Sequence, residues 1–155
     1  MQKALSVALT ALALTATAPA ALAVPGAGFS LGEGALFGTG DTTRTHVNGE
    51  AMLFMSLALV SVDLGLLLDM EQPDSAMMLR PGVRLYVPKL FYLRAAVPVE
   101  MSDSGSYGLL AGIGKSIVDL QVVRVFGELD ATFMEAANYT DVVPVEIRVG
   151  VEIGF

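Results

Sequence analysis

The chain has no cysteine and one histidine among its 155 residues. Without cysteine it forms neither a disulfide framework nor a lipoprotein attachment. With His46 alone, a metal site built from several imidazoles is excluded. Basic residues are scarce as well: nine Lys and Arg stand against sixteen acids, for a formal net charge of −7. A nucleic-acid footprint needs clustered Lys and Arg, so nucleic acid is excluded as a partner. Charge of either sign is thin, at 16% of residues against 54% hydrophobic. A soluble domain of this size covers itself with polar side chains. This chain either holds a very large core or turns part of its outside away from water.

What is present begins with an address. Met1-Gln2-Lys3 is a short positive start, residues 4–16 are largely apolar, and Ala21-x-Ala23 supplies a small-residue cleavage pattern. This is the anatomy of a secretory signal peptide, so residues 1–23 are expected to be removed on export, leaving 24–155 as one domain. The competing reading is an amino-terminal membrane anchor, but no charged stop follows the run.

The carboxyl-terminal stretch carries the strongest pattern. Val143, Val145, Ile147, Val149, Val151, Ile153 and Phe155 are apolar, whereas Pro144, Glu146, Arg148, Gly150, Glu152 and Gly154 are charged or small, apart from the proline. A period of two places each set on its own face of a strand. Strands of soluble sheets commonly run about five or six residues, well short of this one.

Residues 51–68 are nearly long and apolar enough for a transmembrane helix. Asp63 interrupts them, at about 2.5 to 3.5 kcal/mol for a charge near a helix centre. No basic cluster flanks the run, and a true span would hold an exported protein in the inner membrane. Two strands joined tightly around residues 60–62 are the expected alternative.

Period-two reading of the remainder predicts about eight strands, over 26–38, 50–59, 63–70, 77–87, 90–101, 107–115, 120–134 and 143–155. Glu33 disturbs the first, where a bulge is expected. Polar loops follow the first, third, fifth and seventh strands, including Glu71-Gln-Pro-Asp-Ser75 and Ser102-Asp-Ser-Gly-Ser106. The other joins are short: residues 60–62, Pro88-Lys89 and residues 116–119. One end of the sheet thus carries loops and the other carries turns and both termini. Closure requires an even strand number, and it removes the free edges that lipid cannot satisfy. The predicted fold is all-β, a closed antiparallel up-and-down transmembrane β-barrel.

With its cleavable signal and its alternating last strand ending in Phe155, the chain resembles the small eight-stranded bacterial outer-membrane β-barrel proteins. The resemblance implies a Gram-negative outer-membrane location, with lipid and lipopolysaccharide as surroundings. It also implies that Val151, Ile153 and Phe155 help recruit the barrel-assembly machinery. The outer loops are short, which speaks against adhesion through long loops.

If the apolar rows face lipid, Arg84, Arg94, Arg124 and Arg148 point inward with Glu100, Glu128, Asp130, Glu146 and Glu152, joined by Asp63 and Asp69. The interior of such a barrel is only wide enough to be filled by side chains, so mixed charges there pair across strands. A structural plug is the plainer reading of that set; an ion or proton path along it is the functional one.

Catalytic constellations are thin. Outer-membrane lipid deacylases are a precedent by resemblance, but their close His-x-Ser pairing is missing, since Val47 and Asn48 follow His46. A Ser-His-acid site needs base and nucleophile in hydrogen-bond reach, and no enzyme is expected. Loop acids Asp41, Glu71, Asp74, Asp103, Glu135 and Asp141 lack metal-ligand spacing and read as a solvated rim. Asn138-Tyr-Thr140 is a common triplet, idle as a glycosylation acceptor in bacteria. Gly112-x-Gly114 is a strand with a small inner face rather than a phosphate loop. Phe91, Tyr92, Tyr107, Phe133 and Tyr139 near strand ends suggest an aromatic girdle. No cofactor is implied. The expected function is a structural or interaction barrel with a plugged lumen. Two alternatives stay open: a soluble exported lipocalin-like carrier with apolar residues inward, and a narrow solute channel.

Overall fold

Alternation becomes strand throughout the computed structural model, which describes residues 23–38, 43–45, 47–71, 77–88, 90–101, 106–120, 122–135 and 142–154. The strands are β1 (Ala23–Gly38), β2 (Thr43–Arg44), β3 (Asn48–Leu57), β4 (Val60–Asp69), β5 (Met78–Val87), β6 (Phe91–Ala96), β7 (Val99–Glu100), β8 (Tyr107–Asp119), β9 (Val123–Glu135) and β10 (Val142–Gly154). Neighbours in the chain are neighbours in the sheet, all antiparallel, and β1 pairs with β10 from Gly26↔Gly154 to Gly38↔Val142. The sheet therefore closes on itself. Counting β6 and β7 as one stave and β2 as an addition to β1, the fold is a closed antiparallel barrel of eight strands. Residues 51–68 form the β3–β4 hairpin, and among the described residues no helix is long and apolar enough to cross a membrane.

The break between β6 and β7 has a local cause. Pro98 has no N–H to give to the ladder, so regular pairing stops there. Across the gap, Val97 N donates to Pro81 O at 2.9 Å and Gly108 N to Pro98 O at 2.9 Å.

Several predicted joins move. The β3–β4 turn is at Ala58–Leu59 rather than 60–62, because Val60 already pairs with Leu57 and with Leu85. Residues 116–119 belong to β8, and the next join lies between Asp119 and Val123. The register irregularity expected at Glu33 lies instead between Ser116 and Val118, so Glu33 keeps its alternation and faces outward. Ala58 holds φ at 53°, a left-handed value that its Cβ disfavours. Ala58→Gly is accordingly expected to stabilise the barrel by about 1 kcal/mol, read from the urea midpoint of the refolded protein.

The cross-strand register sets the tilt. From Val145 a row runs through Ala131, Ala111, Ala95, Val83, Val62 and Met55 to Pro25, one residue before the partner of Gly154. It returns to β10 displaced by about ten residues, which for eight strands corresponds to a tilt of roughly 40°.

Closure also decides which face is outside. On β10, Ile147 is 66% exposed and Val149 54%, while Arg148 is 0% and Glu152 3% exposed. The same polarity holds on β5 and β6: Val83, Leu85, Leu93 and Phe91 are exposed, Arg84 and Arg94 buried. This is the inverse of a lipocalin-like carrier, whose apolar residues surround an internal cavity. The buried apolar cluster is small, Met52, Tyr92 and Phe126 with Tyr86 packed against it.

Candidate functional site

Inward-facing positions of seven staves deliver a charged column to the barrel axis. Its end nearest the loops holds Asn48, Arg80 and Glu146: Asn48 Nδ2 donates to Glu146 Oε1 at 2.8 Å, and Arg80 Nη2 lies 3.8 Å from Glu146 Oε2. Arg148 comes next. Its guanidinium bonds Asn48 Oδ1, reaches Glu50 Oε2 and Asp130 Oδ2 at 3.3 and 3.5 Å, and donates to Ser30 Oγ at 3.2 Å.

Arg94 is the hub of the middle. It contacts Glu50 Oε1 at 2.7 Å, Glu128 Oε1 at 2.9 Å and Asp63 Oδ1 at 3.1 Å, carboxylates brought from β3, β9 and β4. Below it Arg84 pairs with Glu152 and sits 3.2 Å from Asp63 Oδ2. Its guanidinium also lies 5.3 Å from the Tyr92 ring centre and 5.4 Å from that of Phe126. Those two rings, with Met52, floor the column. Partners on opposite staves bond across the lumen, so the column cross-braces the wall.

Some inner positions must be glycine for this column to fit. A Cβ on Gly65 would strike the Glu50 carboxylate, and one on Gly114 would strike the Tyr92 ring. Gly114→Val is therefore expected to cost about 1 to 3 kcal/mol through overpacking, seen as a lower urea midpoint with the same slope.

Of the charged residues anticipated in the lumen, Arg84, Arg94, Glu128, Asp130, Glu146, Arg148 and Glu152 are brought together. Asp63 joins them. Arg124 extends this set at the turn end, linked to it through Glu152. It is partly exposed, 5.0 Å from the Tyr86 ring centre, with Asp119 and Glu152 at 3.6 and 3.5 Å. Glu100, opposite Met78 on β7, keeps the inward face shared by Arg80 and Arg84, but it stands half-buried at the loop end, beyond the column. Asp69 instead accepts from the Glu71 N–H at 2.8 Å, near the loop end. Tyr92 does not belong to the aromatic girdle that the sequence suggests: it is 2% exposed and faces inward, whereas Phe91, Tyr107 and Phe133 are on the outer face.

Sequence reasoning missed Glu50 and Arg80. Glu50 opened its predicted strand, where a boundary error of two residues decides membership; Arg80 shared a face with Arg84 and should have been carried along with it. Val151 and Ile153 lie on the exposed outer face of β10. His46, Asp41, Asp74, Asp103, Tyr139, Asp141 and Phe155 lie outside the described residues. Among the described residues no cluster of His, Asp and Glu has the arrangement to hold a metal ion.

Beyond the Tyr92 floor the lumen opens at the turn end as a cup of about 450 Å³, lined by Ser56, Tyr86, Tyr92, Ser116, Asp119 and Arg124 with an apolar mouth at Leu59 and Leu90.

No protein family and no curated protein matched the sequence. Solved structures did. Neisserial surface protein A matches with a TM-score of 0.51 at 12% identity, over 86% of this chain and 97% of its own. The fold resembles that of small outer-membrane β-barrel proteins. Ail, the attachment invasion locus protein of Yersinia pestis, solved with the heparin analogue sucrose octasulfate, gives 0.47 at 8% identity over 86% of this chain and 97% of its own. The de novo designed TMB2.3 gives 0.46 at 13% identity, over 83% and 94%.

Proposed function

We propose that this chain is an integral outer-membrane β-barrel protein of Gram-negative bacteria, exported with removal of residues 1–23, whose role is structural or interactive rather than catalytic. The observation that carries the reading is the inverted polarity of the wall, with Ile147 and Val149 outward and Arg148 and Glu152 sealed inside. Water does not favour that arrangement, and a bilayer does. Outer-membrane lipid and lipopolysaccharide are then the immediate surroundings. Val151, Ile153 and Phe155 are the proposed signal to the barrel-assembly machinery, and no cofactor is required.

The lumen is proposed to be a plug. The column from Asn48 to Tyr92 spans the middle of the barrel, and Glu50, Asp63, Arg84, Arg94, Glu128 and Arg148 in it each meet two or more opposite charges. Opening it to ions would require pulling these packed ion pairs apart to make room in an interior that side chains already fill.

Expression in a Gram-negative host followed by fractionation tests the location. The protein should enter the outer-membrane fraction and run as a heat-modifiable band; recovery from the soluble periplasm would overturn the proposal. Planar bilayers test the plug: the wild type should add no steady conductance, and a stable open level would favour the narrow-channel reading instead. Phe155→Ser should reduce the heat-modifiable, assembled fraction in cells while leaving refolding of purified protein unchanged.

A further inference from the structure

Each of the three short turns carries an exposed, large apolar residue, beside Lys89 and Gln121 in the sequence of two of them. Leu59 in the β3–β4 turn is 50% exposed, Leu90 in the β5–β6 turn 60%, and Leu120 and Val122 in the β8–β9 turn 61% and 60%. The opposite end differs in kind, with acids and serines through Glu71-Gln-Pro-Asp-Ser75 and Ser102-Asp-Ser-Gly-Ser106. So the apolar surface runs past the wall and over one rim.

Its extent can be compared with a membrane. At a tilt of roughly 40° each residue advances about 2.5 Å along the barrel axis. From Tyr107, the outward residue at the loop end of β8, to Leu120 is therefore about 30 Å, against an apolar band about 25 Å tall on such barrels. The rim projects past the acyl core by several ångströms.

We infer that the turn end is seated in the headgroup layer of the leaflet it faces, with Leu59, Leu90, Leu120 and Val122 as a ring of interfacial anchors. The inference rests on the outer-membrane reading above. Two features favour lipid over a protein partner. The apolar tips occur on every short turn around the circumference, as a planar leaflet requires, whereas one bound protein would load one sector. They are also continuous with the outward wall through Phe91, Val118 and Ile153, so no polar collar separates rim from belt.

The chain has no tryptophan, so each introduced one reports alone. Leu59→Trp, Leu90→Trp and Leu120→Trp are exposed tips whose replacement disturbs no packing. Leu129→Trp, on the outward face of β9, marks the belt. Each is refolded into phosphatidylcholine vesicles, checked by its heat-modifiable band, and measured with lipids brominated near the headgroup or deep in the chains. All three rim tryptophans should emit to the blue, lose roughly half their intensity to shallow bromine and little to deep bromine, and resist aqueous iodide. Red emission with iodide quenching at the rim, while Leu129→Trp is quenched by bromine, overturns the inference and leaves the membrane reading standing. Protection at a single turn also overturns it, in favour of a partner on one sector. A Leu129→Trp that bromine does not quench in the folded protein removes the membrane reading, and the inference with it.

Discussion

Arg94→Met is expected to destabilise the barrel by about 3 to 5 kcal/mol, the cost typical of breaking a buried ion pair by removing one partner. Arg94 is 3% exposed and holds Glu50, Asp63 and Glu128 at 2.7, 3.1 and 2.9 Å. Methionine fills much of the space but leaves those carboxylates close together with less cation between them. Urea unfolding in vesicles, followed by loss of the heat-modifiable band, reads the loss. Combining Arg94→Met with Glu50→Gln should cost less than the two single changes added, because the second removes a charge whose nearest cation the first took away, leaving it only Arg80 and Arg148. A loss below about 1 kcal/mol, the range of a surface pair, would mean that the lumen is too wet for these pairs to matter.

Val149→Arg should cost about 2 to 4 kcal/mol in lipid, the range for arginine on the lipid face at midplane. Val149 is 54% exposed and near the middle of the apolar wall of β10. Its value as a test is that exposure alone predicts the opposite. In a water-soluble barrel an arginine at an exposed strand position changes stability by about 0.5 kcal/mol or less. Vesicle unfolding and the assembled yield in cells should both fall in this variant. Val149→Leu is the control that keeps both near wild type. An unchanged Val149→Arg variant would remove the bilayer from this surface.

Legibility in the sequence followed the strength of the alternation. The β10 face pattern stands in the sequence because period two is local, and Glu146, Arg148 and Glu152 are inward together in the barrel. The position of the β3–β4 turn was misplaced because Val60-Ser-Val-Asp63 alternates as well as a strand does, and only pairing with Leu85 and Arg84 shows that it is one. Glu100 keeps its alternation across Pro98 and its inward face, and it misses the column only because its place on the stave is at the loop end, level with Met78. Alternation already puts Tyr92 on the face of Arg94 and Phe91 on that of Leu93, so placing Tyr92 in the girdle conflicts with its own strand; the register Tyr92↔Gly114, with no side chain on the glycine, makes room for its ring in the lumen.

Composition and period two determined that this chain is a set of long antiparallel strands with one apolar and one charged face, and the rhythm of loops and turns determined that they close. Neither could say which face is outside, because a strand is the same strand seen from either side. That was decided by curvature. With eight staves the interior admits a single column of interlocked side chains, and the long arginines and glutamates fit it only across from glycines and from one another. The branched and aromatic residues that remained then had no place but the outer wall.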